Sequence, residues 1–504
     1  MPDSICSLLA HIFRTNAHRA FLLDVANNRT LTYSDVLKRA AGVATCLKRL
    51  GISRGSRVGI SMPNGADFAL LYFGCLLGGV TAVPINAALP LCDRAFVLGR
   101  CRLSGLIVRD VASEEELVSA LGGVPPVAIE YLLHESPEEA DSLIGSVAAD
   151  AWFSIHFTSG TTNLPKAVPH RVGSLLENAR AFNRTLGIDR SARFVHVLPM
   201  AYMAGFLNSL LCPLMAEATV IVAPQFTSQS ALRFWDSVEA HAGDTVWMTP
   251  TMLATLSRVD RSQKGSSYCR RTAVRILSAT APLPIRIRNE FEQKYSTAVI
   301  ESYGLSELLL ISANVGLTGT KSGSVGPPIQ PVEVTIKSDD GIIQPPGISG
   351  AIYVKTPHRT LGYLDYETGE PISPSEWFDT GDVGYVDSDG YLFITGRRKD
   401  LIIRGGMNIS PRAIEEILQR HPSVQQTAVV GLPHPFYGEE VVAAVVIDDR
   451  LAIDTVAHEV RAMCRAEIGE NAALDRIVAV DALPTGSTGK VQKQALVALL
   501  RGGE

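Results

Sequence analysis

The chain has no long run of charge of either sign. Its 504 residues include 46 lysines and arginines and 51 aspartates and glutamates, which give a formal net charge of −5. Nucleic acids and anionic membranes attract concentrated basic patches. The even mixture of signs therefore argues against both kinds of partner. The 46% of hydrophobic residues suffices for large cores, and the length allows about three or four compact units.

Paired cysteines are also missing. The eight cysteines are scattered, and none forms the C-x-x-C pair that zinc sites and dithiol redox couples use. None lies in a recognisable nucleophile setting, so the sequence favours buried structural cysteines. The N-terminus lacks the basic residues of a secretory signal ahead of its short apolar segment, residues 8–13. We therefore predict a cytoplasmic protein with reduced thiols.

An unbroken membrane-spanning run is absent as well. Residues 68–85 are uncharged and approach the length of about 18 residues that a span needs. However, Gly78-Gly79 and Pro84 interrupt them, and a strand-like segment, residues 57–62, precedes them. This order predicts a buried helix followed by a buried parallel strand, and no membrane span.

Helical and strand-like patterns alternate through the N-terminal part. Ser34 is the predicted cap of a helix that ends at Gly51 and has apolar residues on one face, at positions 36, 40, 43, 44, 47 and 50. Further strands are predicted at residues 219–223, 246–249, 274–278 and 299–302. The fold class is therefore α/β, with ligands expected at the carboxyl ends of parallel strands. Beyond about residue 341, short strands separated by turn residues predict a β-rich subdomain.

One loop has the composition of a phosphate-binding site. It follows apolar residues 152–157 and reads Thr158-Ser159-Gly160-Thr161-Thr162-Asn163-Leu164-Pro165-Lys166. Hydroxyls, successive backbone N–H groups and one lysine can surround a polyphosphate. The spacing differs from that of a Walker loop, which excludes the commonest ATPases and GTPases. Taken alone, the same residues could form an ordinary solvated turn.

Four further segments appear in a fixed order after this loop. They are Tyr303-Gly304-Leu305-Ser306-Glu307, Trp377-Phe378-Asp379-Thr380-Gly381-Asp382, Gly396-Arg397-Arg398-Lys399-Asp400, and Leu483-Pro484 with Gly489-Lys490. Each residue alone has an ordinary structural explanation, such as a helix cap, an Asx turn or surface charge. Together and in this order, from about residue 30 to residue 493, they resemble the acyl-adenylate-forming superfamily. This superfamily includes acyl-CoA synthetases, the adenylation domains of nonribosomal peptide synthetases and firefly luciferase.

The resemblance implies two domains. Residues 1–396 would form a large N-terminal domain of parallel-type sheets with helices, whose β-rich subdomain covers about residues 341–396. Residues 397–504 would form a small, mobile α+β domain. Lys399 matches the hinge position, and an acidic helix is predicted over residues 412–419.

The resemblance also implies a reaction. A carboxylate would attack the α-phosphorus of ATP, and a thiol would then attack the resulting acyl-AMP. Lys490 would bridge the carboxylate and the α-phosphate, Glu307 would hold Mg²⁺, and Ser306, where the family usually has threonine, would bond a phosphate oxygen. The phosphate loop would contribute Thr158, Ser159, Gly160, Thr161, Thr162 and Lys166.

The nucleoside of ATP has its own predicted residues. Tyr303, next to Gly304, would stack on the adenine, and Thr280, Ala281 and Pro282 would line its other side. Asp382 would accept hydrogen bonds from both ribose hydroxyls, and Arg397 would donate one to the ribose.

Three residues depart from the family pattern. They are Asn163, Ala167 and Ala279, each at a position where glycine is common.

The acyl pocket is predicted to include Tyr202, Met203, Gly205, Ala279 and Leu308. Amino-acid-activating relatives place an aspartate near the Met203 position to pair with the substrate ammonium. Methionine carries no charge, so an α-amino acid is disfavoured. The predicted substrate is a hydrophobic aryl, fatty or polycyclic acid.

The thiol acceptor is the least determined feature. Gly405 and Gly406 would leave room for a pantetheine arm, and Arg404 is a candidate for the 3′-phosphate of CoA. CoA is favoured, because the sequence contains no fused condensation or carrier domain, and a pantetheinylated carrier protein is the alternative. A nucleotide-binding protein without turnover is a lesser alternative, motivated by Asn163 and Ala167, and a luciferase-type oxygenase has no support beyond shared ancestry.

Overall fold

The computed structural model describes residues 4–133, 137–158, 165–316, 318–373, 375–447, 453–468, 474–485 and 491–501. The strands of the N-terminal sheets are, in chain order, β1 Ala20–Asp24, β2 Arg29–Thr32, β3 Arg57–Met62, β4 Thr81–Asn86, β5 Gly105–Val108, β6 Pro126–Ala128, β7 Trp152–Thr158, β8 Lys166–Arg171, β9 Arg193–His196, β10 Thr219–Val222, β11 Thr245–Met248, β12 Arg275–Ser278, β13 Val299–Leu305 and β14 Leu309–Ala313. The helices among them are α1 Ile5–Thr15, α2 Tyr33–Arg49, α3 Ala66–Gly78, α4 Leu91–Gly99, α5 Glu115–Ala120, α6 Pro137–Gly145, α7 Val172–Leu186, α8 Cys212–Met215, α9 Ser228–Ala231, α10 Phe234–Ala240, α11 Pro250–Val259, α12 Lys264–Arg271 and α13 Ile285–Tyr295.

These strands form two sheets. The first has the order β6-β5-β3-β4-β7-β8, and its pairs are parallel except β7 with β8. The second has the order β14-β13-β12-β11-β9-β10-β1-β2, with antiparallel pairs only at its two ends. Helices separate the parallel strands along the chain, as crossover connections require. The predicted α/β class is confirmed.

The apolar segment at residues 68–85 forms part of the core. Every residue of α3 except Asp67 and Gly78 is buried, and every residue of β4 is buried. Gly79 ends the helix in the left-handed conformation, at φ +63°. Within the described ranges, no helix is both long enough and apolar enough to span a membrane. The eight cysteines are free thiols, and five of them are buried.

The first predicted helix is present, but two details of the prediction are wrong. The N-cap of α2 is Thr32 instead of Ser34, because the Thr32 hydroxyl accepts from the Asp35 N–H while the Asp35 carboxylate accepts from the Thr32 N–H. Leu50 follows the last helical residue and is 54% exposed, although it was expected on the apolar face. The α2 residues at positions 36, 40, 43, 44 and 47 are buried as predicted.

The β-rich part follows β14. Its strands are β15 Glu333–Lys337, β16 Gly350–Lys355, β17 Tyr363–Leu364, β18 Pro371–Ile372, β19 Phe378–Val386 and β20 Leu392–Arg397. Four of them form an antiparallel sheet in the order β15-β16-β19-β20, and β17 pairs with β18. This arrangement places Asp382 and Arg397 directly opposite each other on β19 and β20.

The C-terminal part has its own sheet and its own hydrophobic clusters. Its elements are β21 Ile402–Arg404, β22 Met407–Ile409, α14 Pro411–Leu418, β23 Val424–His434, β24 Gly438–Ile447, α15 Ile453–Ile468, β25 Arg476–Ala479 and α16 Lys493–Arg501. Two clusters of buried hydrophobic residues consist only of residues between 402 and 500. The clusters of the preceding part contain no buried residue beyond Leu392. The helix predicted at residues 412–419 corresponds to α14.

Candidate active site

The carboxyl ends of four neighbouring parallel strands, β9, β11, β12 and β13, meet at one edge of the second sheet. The segment that contains Thr280, Ala281 and Pro282 begins directly after β12, and Tyr303 lies towards the end of β13. Two separate sequence motifs therefore reach the same edge, as expected for a ligand site in a parallel α/β sheet.

Tyr303, Asp382 and Arg397 form one hydrogen-bonded group. The Tyr303 hydroxyl donates to Asp382 Oδ2 at 2.5 Å, and Arg397 Nε donates to Asp382 Oδ1 at 3.1 Å. Burial, together with the charge of Asp382, raises the pKa of Tyr303 well above its usual value. The hydroxyl therefore stays protonated at neutral pH and acts as the donor. Each Asp382 oxygen can still accept a second hydrogen bond.

Replacing Asp382 with asparagine is expected to raise the KM for ATP by about tenfold to a hundredfold, because one charged acceptor is lost from a buried group. The KM for the acid is expected to change less. Initial-rate measurements with ATP and acid varied separately would separate the two effects. Asp379→Asn, on the same strand but exposed, is the matched control. A similar ATP effect in both variants would contradict the predicted ribose role.

Thr280 has an unusual backbone conformation. Its φ is +77°, in the left-handed region that a β-branched residue rarely adopts. Such strain is frequent at ligand sites. Ala279, where the family commonly has glycine, precedes this position by one residue. The strained residue, Thr280, therefore lies in the predicted adenine pocket, directly after Ala279.

A tight connection between β13 and β14 carries Ser306 and Glu307, both half-buried. A Cβ atom on Gly304 would lie 2.5 Å from the backbone oxygen of Leu309, so this close approach requires glycine. Leu309 itself has a φ of +62°. The connection holds the Glu307 carboxylate close to the end of β13.

Tyr363 contacts both Glu307 and the predicted phosphate-binding lysine, Lys166. The Tyr363 hydroxyl donates to Glu307 Oε1 at 2.7 Å, and Lys166 Nζ lies 4.4 Å from the centre of the Tyr363 ring. The described residues contain no group of three or more His, Cys, Asp or Glu side chains that could enclose a metal ion. A single carboxylate suits Mg²⁺, which commonly takes one or two protein carboxylates and completes its coordination with phosphates and water.

The phosphate loop lies between β7 and β8. Thr158 and Lys166 are cross-strand neighbours at its two ends. Ala167 is buried and pairs with Phe157, so its methyl group fits the strand. Ser159, Gly160, Thr161 and Thr162, and also Asn163, lie outside the described residues.

The predicted acyl wall follows β9. A Cβ atom on Gly205 would lie 2.0 Å from the backbone oxygen of Pro199, so the chain requires glycine there. The chain continues from Ala204 to Leu211 as a π-helix, a form common at functional sites. Leu308 is buried, and Met203 and Ala279 pack partly buried against the main core, while Tyr202 is half-buried.

The predicted CoA residues form the turn of a hairpin. Gly405 and Gly406 connect β21 to β22 with φ values of +58° and +82°, which two-residue hairpin turns favour. Arg404 forms two hydrogen bonds to the Asp475 carboxylate, at 2.8 and 3.0 Å, so its guanidinium is paired in this conformation. Lys399 is exposed in a short 3₁₀ turn, Arg398–Asp400. Lys490 lies outside the described residues.

The sequence interpretation missed Tyr363 and the backbone around it. The Thr360 N–H donates to the Glu307 carbonyl at 2.7 Å, although 53 positions separate the two residues. No local pattern around Gly362-Tyr363 indicates a contact at that distance along the chain. The packing of β17 close to β8 brings Tyr363 to the site.

The chain is similar to known enzymes along almost its full length. The model of the AMP-binding enzyme family matches residues 10–364, and that of the AMP-binding enzyme C-terminal domain matches residues 413–490. A sulfoacetate–CoA ligase of Cupriavidus necator is 30% identical, covering 98% of this chain and 97% of the relative. An oxalate–CoA ligase of Arabidopsis thaliana is 28% identical, covering 98% of each. The crystal structure of the anthranilate CoA ligase AuaEII has the same fold, with a TM-score of 0.87 at 24% identity over 100% of this chain and 99% of that one.

These matches confirm the resemblance that the ordered motifs indicated. The chain belongs to the AMP-binding enzyme family and is an AMP-forming acid–CoA ligase, which uses ATP and Mg²⁺.

Proposed function

We propose that this ligase activates a hydrophobic aryl, fatty or polycyclic acid. The uncharged lining of the predicted acyl pocket carries the proposal: Tyr202, Met203, Gly205, Ala279 and Leu308. None of these side chains can neutralise a second anionic group or an α-ammonium group on the substrate. Binding energy there would come from the burial of apolar surface.

Two buried histidines next to this wall support the same conclusion. His156 Nδ1 lies 3.3 Å from the carbonyl of Ala201, and its ring stacks on Phe206. Burial lowers the pKa of His156 to about 4, and it lowers the pKa of His196, at the end of β9, to about 4. Both imidazoles are therefore uncharged at neutral pH and supply no cation for a second carboxylate.

The reaction has two displacements. In the first, a carboxylate oxygen forms a bond to the α-phosphorus of ATP while the bond from that phosphorus to the β-phosphate bridging oxygen breaks and pyrophosphate leaves. In the second, the CoA sulfur bonds to the acyl carbon, AMP leaves, and the thiol proton passes to solvent. Repulsion between the anions opposes the first step, so we assign Lys166 and Lys490 to charge neutralisation.

Glu307 and Ser306 are assigned to the metal and phosphate side of the site. The Glu307 carboxylate would bind Mg²⁺, which screens the phosphate charge when bound. Tyr303 and Asp382 would bind the nucleoside, the tyrosine through its ring and the carboxylate through its remaining lone pairs.

The first displacement occurs at the α-phosphorus and the second at the acyl carbon, so the two steps require different groups beside the same substrate. We therefore propose that residues 397–504 move as a unit about Lys399. In the present arrangement, Arg286 Nη1 in α13 donates to the backbone carbonyls of Gln419, His421 and Val424 at 3.1 to 3.2 Å. A rotation of the C-terminal part would break these hydrogen bonds. They therefore favour the present arrangement.

CoA is the acceptor that this ligase uses, and a carrier protein is an additional candidate, since both present a pantetheine thiol. The eight free cysteines suit a reducing compartment, which supports a cytoplasmic location.

Mass spectrometry of reactions with ATP and Mg²⁺ tests the substrate class. The panel contains aryl, fatty and polycyclic acids, together with oxalate and sulfoacetate as small acids with a second anionic group. Each acid is incubated with and without CoA. Acyl-CoA from the hydrophobic acids alone is the expected result, whereas acyl-CoA from the small dianionic acids alone would overturn the proposed class. Acyl-AMP that forms but does not react with CoA would favour the carrier protein.

A further inference from the structure

A short segment joins the two sides of the phosphate site. We call residues 360–366 the strap. At one end, the Thr360 N–H donates to the Glu307 carbonyl at 2.7 Å, and the Thr360 hydroxyl donates to the Pro169 carbonyl at 2.7 Å. At the other end, the Tyr366 hydroxyl donates to the Pro165 carbonyl at 2.7 Å, within the phosphate loop. The strap therefore links the turn that carries Glu307 to the interior of β8 and to the residue that precedes β8.

Tyr363, in the middle of the strap, contacts two oppositely charged side chains of the site, Glu307 and Lys166. Its hydroxyl donates to Glu307 Oε1 at 2.7 Å, and the Lys166 ammonium lies 4.4 Å from its ring centre. The first contact orients a carboxylate, and the second is a cation–π contact. One half-buried side chain thus sets the separation between an anion and a cation that both face the phosphates in the proposed reaction.

The hydrogen bond leaves part of the carboxylate free. The Tyr363 hydroxyl donates to Oε1 of Glu307, which leaves Oε2 of Glu307 to a hard cation.

We propose that Tyr363 is a positioning residue for the metal and the phosphate lysine, which holds Glu307 by its hydroxyl and Lys166 by its ring. This inference rests on the proposed roles of Glu307 and Lys166. It predicts that the two functions of the ring and the hydroxyl can be separated by mutation.

Tyr363→Phe keeps the ring and removes only the hydroxyl. We expect the Mg²⁺ concentration for half-maximal ATP binding, measured by titration calorimetry without any acid, to rise about tenfold, which corresponds to about 1.4 kcal/mol. At saturating Mg²⁺ the ATP affinity should return to the wild-type value. Tyr363→Leu also removes the ring, so its ATP affinity should stay low at saturating Mg²⁺.

Tyr366→Phe is the matched control, because it removes a hydroxyl of the same strap that binds a backbone carbonyl instead of the carboxylate. Its Mg²⁺ midpoint should equal that of the wild type. An unchanged midpoint in Tyr363→Phe, or an equal shift in both variants, would overturn the inference. Should either variant unfold near the assay temperature, the titrations are repeated at a lower temperature at which its far-ultraviolet circular dichroism matches the wild type.

A variant of Glu307 separates this inference from the proposed function. Glu307→Gln should raise the Mg²⁺ midpoint by itself, and adding Tyr363→Phe to it should produce no further rise, because the hydroxyl acts through the carboxylate. No effect of Glu307→Gln would show that the proposed metal role is wrong. An effect of Glu307→Gln together with a fully additive effect of Tyr363→Phe would overturn the role of Tyr363 alone.

Discussion

Lys490→Ala is expected to slow acyl-AMP formation by about a thousandfold, at the upper end of the loss seen when one preorganised charge-stabilising donor is removed. The lysine is assigned to the developing charge between the carboxylate and the α-phosphate, and alanine offers neither charge nor a hydrogen bond. Thioester formation from a supplied acyl-AMP should continue at close to the wild-type rate, since that step does not form the phosphate bond. ATP–pyrophosphate exchange and acyl-transfer assays measure the two steps separately.

Lys493→Ala provides the matched control for this prediction. Lys493 belongs to the same C-terminal segment, but its ammonium binds the Val429 carbonyl at 3.1 Å and the Glu415 carboxylate at 3.3 Å. Its loss should lower stability slightly and leave adenylation intact. If Lys490→Ala adenylated at the normal rate, or if both half-reactions failed equally, the assignment of Lys490 would be wrong.

Acid is expected to destabilise the protein steeply below about pH 6.5. Burial lowers the pKa values of His156 and His196 to about 4, and it lowers that of His170 well below its usual value. The folded state therefore binds fewer protons than the unfolded state between about pH 4 and 6.5. Stability from these groups is complete above pH 6.5 and is lost as the pH falls through this range.

Glu301 acts in the opposite direction. Burial raises its pKa to about 7, so the folded state keeps a proton that the unfolded state releases above pH 4.5. His358, whose pKa burial also lowers, adds to the histidine side, and Asp244, whose pKa burial raises, adds to the glutamate side. His156, His170 and His196 against Glu301 leave a net difference of about two protons. The free energy of unfolding should thus fall by about 3 kcal/mol per pH unit near pH 5.5, a large part of the stability of an ordinary domain.

The thermal unfolding midpoint between pH 7.5 and 5 measures this effect. His156→Leu removes one titrating group, so its midpoint should depend less steeply on pH than that of the wild type. His11→Leu is the control, because His11 is exposed in α1 and its replacement should leave the slope unchanged. A wild-type midpoint that is flat from pH 7.5 to 5 would contradict the predicted protonation of the buried histidines.

The predicted nucleoside site shows which features the sequence motifs can predict and which require the structure. Asp382 and Arg397 belong to two different segments, and the family order predicts a common role for them at the ribose. Their direct pairing across β19 and β20 required the register of the sheet. The N-cap of α2 is a second feature that the residue types alone do not decide. Threonine and serine both cap helices, so Thr32 and Ser34 are both candidates. The reciprocal hydrogen bonds between Thr32 and Asp35 make Thr32 the cap.

The sequence by itself determined the α/β class, the positions of four strands along the chain, and the acid–CoA ligase family. These features depend on local periodicity and on short, ordered motifs, which need no knowledge of distant contacts. Only the tertiary structure decided that Tyr363 joins Glu307 to Lys166, that Thr280 adopts a strained backbone, and that His156, His170 and His196 are buried. Each of these results from packing between segments far apart in the chain, because burial and cross-sheet distances depend on how the elements assemble and not on the residues next to them.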